Sequence, residues 1–412
     1  MSRESWAIQV DGRGHPTGCH PRGYRRRPAL QREGTDQRTN FALEGILIGG
    51  KMPESAAKGA SMSTTIQFLH ASHGDCIFLR HEQEGKIFNL LVDGGPGETF
   101  GQLNGYAKPL RLLLEELKAN GEVIDLAVIT HVDDDHIGGV LAAMSYDDYL
   151  PSLVKEFWFN SYELICSATE QTDDNKNEVV GVAGTETKTS ITQGVTLEGK
   201  LRKLNWYDQV IHNELAPITR SGLEFTILSP SINSLRRLGK AWEHEYPPAN
   251  KKTAKAESDH KFPFSHFLGE DRFKSDRSIP NGSSIAFILK IGDLKLLLLA
   301  DSYAGTVERK LKSLGYSPTN PLECSIVKIS HHGSKGNTSQ KLLALITSKK
   351  YVISTDGSIF GHPDKRTIAR IINAHEDNHV YFNYKSVLKD IMLPEDAAYS
   401  ERLHVCQEKM VL

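Results

Sequence analysis

Thr130-His131-Val132-Asp133-Asp134-Asp135-His136-Ile137-Gly138-Gly139 decides the reading of this 412-residue chain. It follows Leu126-Ala127-Val128-Ile129, a short apolar run of the kind that forms a buried strand. The Gly138-Gly139 pair, with the apolar residues after it, predicts a loop running into a helix. Four potential ligands, His131, Asp133, Asp135 and His136, are therefore expected at the carboxyl end of a strand. Two imidazoles and two carboxylates so close in sequence cannot be buried together without compensating charge. One or two divalent cations would supply it, and nitrogen and oxygen donors without sulfur suit zinc, manganese or iron. The competing reading of Asp133 to Asp135 is a solvated turn or a helix N-terminus, where carboxylates are favoured. The flanking histidines and the strand before them weigh against it.

Composition sets the frame around that stretch. Hydrophobic residues make up 39% and charged residues 24% of the chain, as in a soluble globular protein of one large domain or two ordinary ones. A formal net charge of −2 provides no global basic field to draw nucleic acid, which leaves room only for a local basic groove. Cys19, Cys76, Cys166, Cys324 and Cys406 are scattered and form no CxxC pair. That argues against a disulfide framework or a thiolate zinc site and suits a reducing compartment, so a cytoplasmic location is expected. The longest apolar run, Leu294 to Ala300, contains Lys295 and is far too short to span a membrane, so no membrane partner is expected. The N-terminus has no apolar signal-peptide core.

Residues 1–61 read differently from the rest. Arg, Gly, Gln and Pro dominate, as in Pro21-Arg22-Gly23-Tyr24-Arg25-Arg26-Arg27-Pro28, and a disordered extension is expected, with the folded domain over 62–412. A basic arm for nucleic acid is the rival reading; Met62 heads a plausible start. From Thr65 to Leu69 the pattern alternates, His73-Gly74-Asp75 makes a turn, and Cys76 to Leu79 and Phe88 to Val92 follow as strands. The third ends in Asp93-Gly94-Gly95, where Asp93 can be a simple turn residue. His73 and Asp75 read as supporting or surface groups. Pro109 to Lys118 is an amphipathic helix stopped by Asn120-Gly121.

Between about 145 and 280 the chain is less regular. Lys155 to Asn160 and Leu223 to Pro230 read as strands, Leu197 to Trp206 and Ile232 to Trp242 as helices, and Thr169 to Thr192 as a polar loop. Pro247 to Ser278 reads as a mobile loop over one face. Its neighbourhood offers His244, His260 and His266 as candidate ligands, each more simply a surface group.

The C-terminal part returns to regular strands, each ending in polar residues. Ile285 to Ile291 and Leu294 to Leu299 pair about a Gly292-Asp293 turn. The second leads to Asp301, at a strand's carboxyl end as His131 is; the alternative for Asp301 is an N-cap for the helix beginning near Tyr303. Ser325 to Ile329 leads to Ser330-His331-His332-Gly333-Ser334-Lys335, and adjacent histidines at a strand end are uncommon as pure packing. Ser334 and Lys335 can hold a phosphate oxygen, the lysine as a point charge. Tyr351 to Ser354 is the last core strand expected, followed by Gly361-His362-Pro363 and a helix from Lys365 to Ala374.

The first stretch resembles the metal-binding signature of the metallo-β-lactamase-fold hydrolases, whose usual form is His-x-His-x-Asp-His. Here Asp133 stands where the second histidine normally stands. With His-His-Gly-Ser and Gly-His-Pro, this resembles the branch typified by the hydrolase domain of the competence protein ComEC and by phosphorylcholine esterases, over roughly Thr64 to Ala374. The resemblance implies an α/β fold, a four-layer αβ/βα sandwich with the metals at one edge, here with a family-specific insertion at about 145–280. It implies two divalent metal ions, zinc or manganese: His131 and Asp133 on the first, Asp135 and His136 on the second, Asp301 bridging. One of His331 and His332 would bind metal, with His332 preferred, and the other would support it or touch substrate. Asp93 would help position the metal loop. His362 would complete the metal set or act as acid for the leaving group. The family's further mid-chain metal histidine has no clear counterpart. Asp133 in place of histidine adds charge and hardness, favouring manganese or weaker zinc binding.

The expected activity is metal-dependent hydrolysis with a metal-activated water, by a phosphodiesterase or nuclease. Asp135, whose loss should abolish cleavage, and His362 are the catalytic candidates; Ser334 and Lys335 are the substrate-binding ones. The rivals are a hydrolase of a small ester, lactone or phosphorylated metabolite, and a metal-binding scaffold acting through a partner. Nucleic acid, a phosphorylated small molecule, and a partner protein from a defence or DNA-processing system are the expected partners.

Overall fold

The computed structural model describes residues 62–169, 185–243, 258–269 and 271–412. The expectations for 1–61, for 170–184 and for His244 lie outside the described residues.

Strands β1 (Met62–Phe68), β2 (Ile77–Gln83), β3 (Lys86–Val92), β4 (Leu126–Val128) and β5 (Phe157–Trp158) lie side by side in one sheet, antiparallel through β3 and parallel from β3 to β5. A second sheet contains, in spatial order from one edge, β6 (Ile218–Arg220), β7 (Leu223–Ser229), β8 (Ala286–Ile291), β9 (Leu294–Leu298), β10 (Ile326–Lys328), β11 (Lys350–Ile353), β12 (His379–Phe382) and β13 (Leu403–Val405). Its first four strands pair antiparallel and β9 through β13 pair parallel. The last strand, β14 (Met410–Val411), pairs beside β1 in the first sheet. β12, β13 and β14 lie beyond the last strand expected from sequence.

The alternation of apolar residues on each strand explains the layering. Inward-facing Leu79, Leu90, Val128 and Trp158 of the first sheet meet Phe225, Phe287, Leu298 and Val352 of the second in one shared core. The other face of the first sheet packs under α1 (Pro109–Asn120) and α2 (Asp134–Ala143), and that of the second under helices that include Lys365–Ala374. The layers run helix, sheet, sheet, helix, the α/β architecture expected. Among the described residues no helix is long and apolar enough to cross a membrane.

Three expectations need correcting. Helix α2 begins at Asp134, so Gly138 and Gly139 lie inside it rather than in a loop. Asp133 is its extended N-cap, and carboxylates at 134 and 135 favour that end. The glycines are needed because the loop after β3 lies against the helix: a Cβ on Gly139 would stand 2.0 Å from the Gly94 carbonyl oxygen, and one on Gly138 2.6 Å from the Gly97 nitrogen. The backbones are also bonded, Gly94 N–H donating to His136 O at 2.8 Å and Gly139 N–H to Gly95 O at 2.7 Å.

The mid-chain helix, α3 (Thr185–Leu201), starts well before Leu197 and takes in the last third of what reads as a polar loop. Its tertiary contacts outweigh its weak apolar periodicity. Residues 258–269 and 271–278, expected to be mobile, are fastened down: Phe264 and Phe267 are buried, Asp259 accepts from the Lys365 and Arg366 amides, and Asp271 pairs with Arg370.

Candidate metal centre

Strand carboxyl ends and their following loops deliver every group at the site. His131 follows β4, Asp133 caps α2, and Asp135 and His136 occupy its first turn. Asp301 follows β9, His331 and His332 follow β10, and His362 follows β11. Asp301 precedes the helix Ala304–Ser313, whose N-cap is Tyr303, so Asp301 does not cap it.

Asp301 stands in the middle. Its Oδ1 lies 3.4 Å from His136 Nε2 and 3.8 Å from His332 Nε2; its Oδ2 lies 3.8 Å from His131 Nε2 and 3.6 Å from His331 Nε2. Asp133 Oδ2 is 3.6 Å from His131 Nε2, and Asp135 Oδ2 is 3.2 Å from His332 Nε2 and 4.0 Å from His136 Nε2. Donors bound about 2.1 Å from a tetrahedral ion stand roughly 3.4 Å apart, so these separations are those of ligands around an ion. His131, His136 and Asp301 form one compact ligand group, and Asp135, His136 and His332 another.

The hydrogen bonds behind the histidines set their tautomers. His136 Nδ1–H donates to Asp93 Oδ2 at 2.8 Å, and His332 Nδ1–H to the Ser354 carbonyl at 2.9 Å. Thr130 Oγ1–H donates to Asp93 Oδ2 at 2.8 Å and so accepts from His131 Nδ1–H at 3.0 Å. His331 Nδ1–H donates to Asn337 Oδ1 at 3.0 Å. With the proton on Nδ1, each Nε2 presents a lone pair to the centre, as metal-binding histidines do. The Nε2 atoms of His131, His136 and His332, and Oδ1 of Asp301, are buried without a hydrogen-bond partner. Buried polar atoms without partners are costly, and four of them aimed at one place fit divalent ions well.

The charges agree. Burial alone would lower the His136 and His332 pKa values, but Asp301 and its neighbouring carboxylates outweigh it and raise both. Burial would raise Asp135 and Asp301, but the surrounding histidines hold both carboxyls far down. The carboxylates thus favour positive charge at these imidazoles, a compensating role that a divalent cation would take over while binding the neutral rings through Nε2.

Backbone strain clusters here too. Asp93, Ala300, His331 and His332 all adopt positive φ, at 59°, 42°, 49° and 52°. Asp93 is more than a turn residue, accepting from the Thr130 amide at 2.8 Å as well as from Thr130 and His136 side chains. Asp75, expected as a supporting or surface group, is buried and paired with Lys328; His73 lines the cleft.

That cleft, of about 420 Å³, opens over Asp133, Asp135, Asp301 and His331. His362 also lines it, its ring 5.0 Å from that of His331 and its Nδ1 3.5 Å from Asp364 Oδ2. Burial lowers the His362 pKa, which favours the neutral ring. Ser334 and Lys335 line an adjoining hollow instead; Lys335 Nζ donates to Asp364 at 2.8 Å. His260 donates to the Pro363 carbonyl and His266 stacks on Phe262, and neither joins the ligand groups. Among the described residues no mid-chain histidine does.

Sequence reasoning missed Thr130, Asn337 and Ser190. Thr130 and Asn337 sit within a few residues of the motifs and could have been suspected; Ser190, whose hydroxyl donates to Asp133 Oδ1, lies in α3 with no local signal.

Residues 71–159 match the family model described as the metallo-beta-lactamase superfamily, a region that contains the first metal loop. Members of that superfamily are mostly metal-dependent hydrolases. No curated protein matches the chain. Solved structures similar to it include CmlA, a diiron beta-hydroxylase from Streptomyces venezuelae, at 13% identity over 85% of this chain, with a TM-score of 0.37. The chain spans about half of that protein, 54% of its length. The metallo-beta-lactamase fold protein YhfI from Bacillus subtilis is 11% identical over 85% of this chain and 99% of its own, with a TM-score of 0.36. Zn(2+)-bound PqqB from Methylobacterium extorquens is 10% identical over 84% of this chain and 99% of its own, with a TM-score of 0.39. None of these likenesses bears on the role of this chain.

Proposed function

We propose that the chain is a metal-dependent hydrolase of the ComEC-type branch that cleaves phosphodiesters, in nucleic acid, at a two-ion centre. The observation that carries this reading is the convergence of the unpartnered, buried Nε2 atoms of His131, His136 and His332 on Asp301. One ion would be held by His131, Asp133, His331 and Asp301 Oδ2, the other by Asp135, His136, His332 and Asp301 Oδ1. His331 would thereby serve where the family uses a mid-chain histidine. The carboxylate-rich set favours manganese over a purely imidazole-bound zinc.

A divalent ion bound there supplies Lewis acidity, which lowers the pKa of water from about 16 to about 7 and stabilises charge on a phosphoryl oxygen. The chain's own residues do the rest. Asp93 and the Ser354 carbonyl keep the histidine protons on Nδ1 and aim Nε2 inward. His362, held neutral by burial at the cleft wall, accepts the proton of the attacking water and returns it to the leaving oxygen. The cleft's volume, about 420 Å³, equally suits a small ester or phosphorylated metabolite, and that is the second reading.

The test strips the protein with chelator, restores manganese or zinc, and follows thermal unfolding and hydrolysis together. Metal at a hundredfold excess over its Kd should add about 2.7 kcal/mol of stability, and Asp301→Ala should erase that gain. Single-stranded DNA, RNA or bis-(p-nitrophenyl) phosphate should be cleaved with metal and left intact by Asp135→Ala. Hydrolysis of carboxylic esters alone would favour the second reading; no metal-linked stabilisation and no hydrolysis would sink both.

A further inference from the structure

Beside the metal cleft lies a second hollow of about 770 Å³, and Asp276, His331, Phe360 and His362 line both. Their electrostatics are opposed. The cleft is lined by five carboxylates, whereas the hollow is lined by five cationic side chains against two carboxylates, in a chain whose net charge is −2.

Three of those cations are committed. Arg370 pairs with Asp271 at 2.6 Å, Arg366 with the same carboxylate at 3.3 Å, and Lys335 with Asp364 at 2.8 Å. Arg272 and Lys274 are exposed and, among the described residues, have no ion-pair or hydrogen-bond partner. Their positions are fixed all the same. Residues 271–274 alternate inward and outward: Asp271 is locked to Arg370, and Phe273 packs on the core beneath the Arg370 guanidinium, 5.3 Å from its ring centre. Just beyond, Asp276 accepts from Asn281 Nδ2 at 2.8 Å and Asn337 Nδ2 at 3.0 Å. A segment pinned on both sides presents two cations, unpaired among the described residues, at little further entropic cost. At the lip shared by both hollows, Phe360 is 38% exposed.

We propose that this shoulder is a subsite for the backbone phosphate next to the one in the metal cleft, with Phe360 stacking an adjoining base, so that the substrate is a single-stranded polynucleotide. The proposal rests on the phosphodiesterase reading above and narrows it. A lone phosphomonoester needs nothing outside the metal cleft. A polyanion must pass an acidic rim, and fixed cations beside that rim offset the repulsion. Inside a duplex both faces of a base are covered by its stacked neighbours, whereas a single strand can turn a base onto an aromatic ring, which favours single strands.

The test is fluorescence anisotropy of the full chain with a labelled 12-nucleotide single-stranded DNA and the matching RNA, with chelator present, across a salt series. Arg272→Ala/Lys274→Ala should weaken binding about tenfold and lower the slope of log affinity against log salt by about one. Phe360→Ala should weaken binding about fivefold and leave the slope unchanged. Lys290→Ala/Lys312→Ala, which removes the same charge elsewhere, should change neither. Thermal midpoints of all variants report that each is folded. A wild-type chain that binds neither strand, an unchanged slope in the Arg272/Lys274 variant, or an equal loss in the control variant overturns the proposal. If strands bind through the shoulder while neither they nor bis-(p-nitrophenyl) phosphate are cleaved with metal, the hydrolase reading fails and the subsite stands. If the artificial diester is cleaved but no strand binds, the reverse holds.

Discussion

The ammonium of Lys328 lies 2.6 Å from Asp75 Oδ2, with both side chains withdrawn from solvent and 253 residues apart in sequence. Lys328 ends β10 in one sheet, and Asp75 lies in the loop between β1 and β2 of the other. The pair clips the two sheets together directly behind His332, whose Nδ1 is 3.6 Å from the other Asp75 oxygen. Removing one member leaves a buried charge uncompensated. Lys328→Met should therefore cost about 3–5 kcal/mol, and Lys328→Met with Asp75→Leu should recover most of it. Urea unfolding of the single and double variants measures both, and a double variant as unstable as the single one would show that the packing, not the charge, is at stake.

Ala300 holds a φ of 42°, a conformation that suits glycine. The left-handed region costs an alanine about 1–2 kcal/mol, while glycine's extra freedom in the unfolded chain costs about 0.5–1 kcal/mol. Ala300→Gly should be neutral to stabilising by roughly 1 kcal/mol, with Asp301 undisturbed and metal affinity unchanged. Calorimetry with and without metal checks it; a marked loss of stability would mean that the Ala300 methyl packs more tightly than its surroundings indicate.

Asp93 accepts three hydrogen bonds and fixes the tautomer of His136. Asn tolerates its φ of 59°, so Asp93→Asn should preserve the loop while replacing one acceptor oxygen by a donor. Metal affinity should fall about 10–100-fold, read by competition with a chromophoric chelator. Wild-type affinity in the variant would remove Asp93 from the metal centre.

Asp271 should contribute to acid stability. Hydrogen bonds from Arg370, working against burial, hold its carboxyl below the usual carboxylate range. Its folded pKa is therefore below the unfolded value of about 3.9, so its stabilisation is complete above that pH and is lost as pH falls through the folded pKa. Asp271→Asn should cost about 3 kcal/mol at neutral pH, and the gap from wild type should shrink as pH falls below about 4. Urea midpoints at pH 7 and pH 3 test the sign; a gap that stays constant would exclude the linkage.

How legible the centre was depended on whether a residue's partner lay nearby in sequence. Strand tips bearing His131, Asp301 and His332 could be read because β4, β9 and β10 are short apolar runs ending in polar residues, and the tips meet because parallel strands align their carboxyl ends. The helix Lys365–Ala374 was read with its bounds intact because its apolar stripe is regular. Helix α3 was not, since its residues are mostly polar and threonine-rich and only its docking beside α2 decides its course. The role of Lys328 was invisible for the same reason: the strand Ser325 to Ile329 could be read through it, but its buried partner Asp75 lies 253 residues away. β12, β13 and β14 were missed because strands of four residues or fewer carry little periodicity of their own.

With no side chain at 138 or 139, the helix bearing Asp135 and His136 rests main chain to main chain on the loop bearing Asp93. Ligand and supporting acceptor therefore travel as one piece, and the stiffness of the centre is inherited from that bare seam. Exchanging a ligand would leave the frame standing. A single methyl group on Gly139, forced to within 2.0 Å of the Gly94 carbonyl oxygen, would pry the frame apart with every ligand still in place.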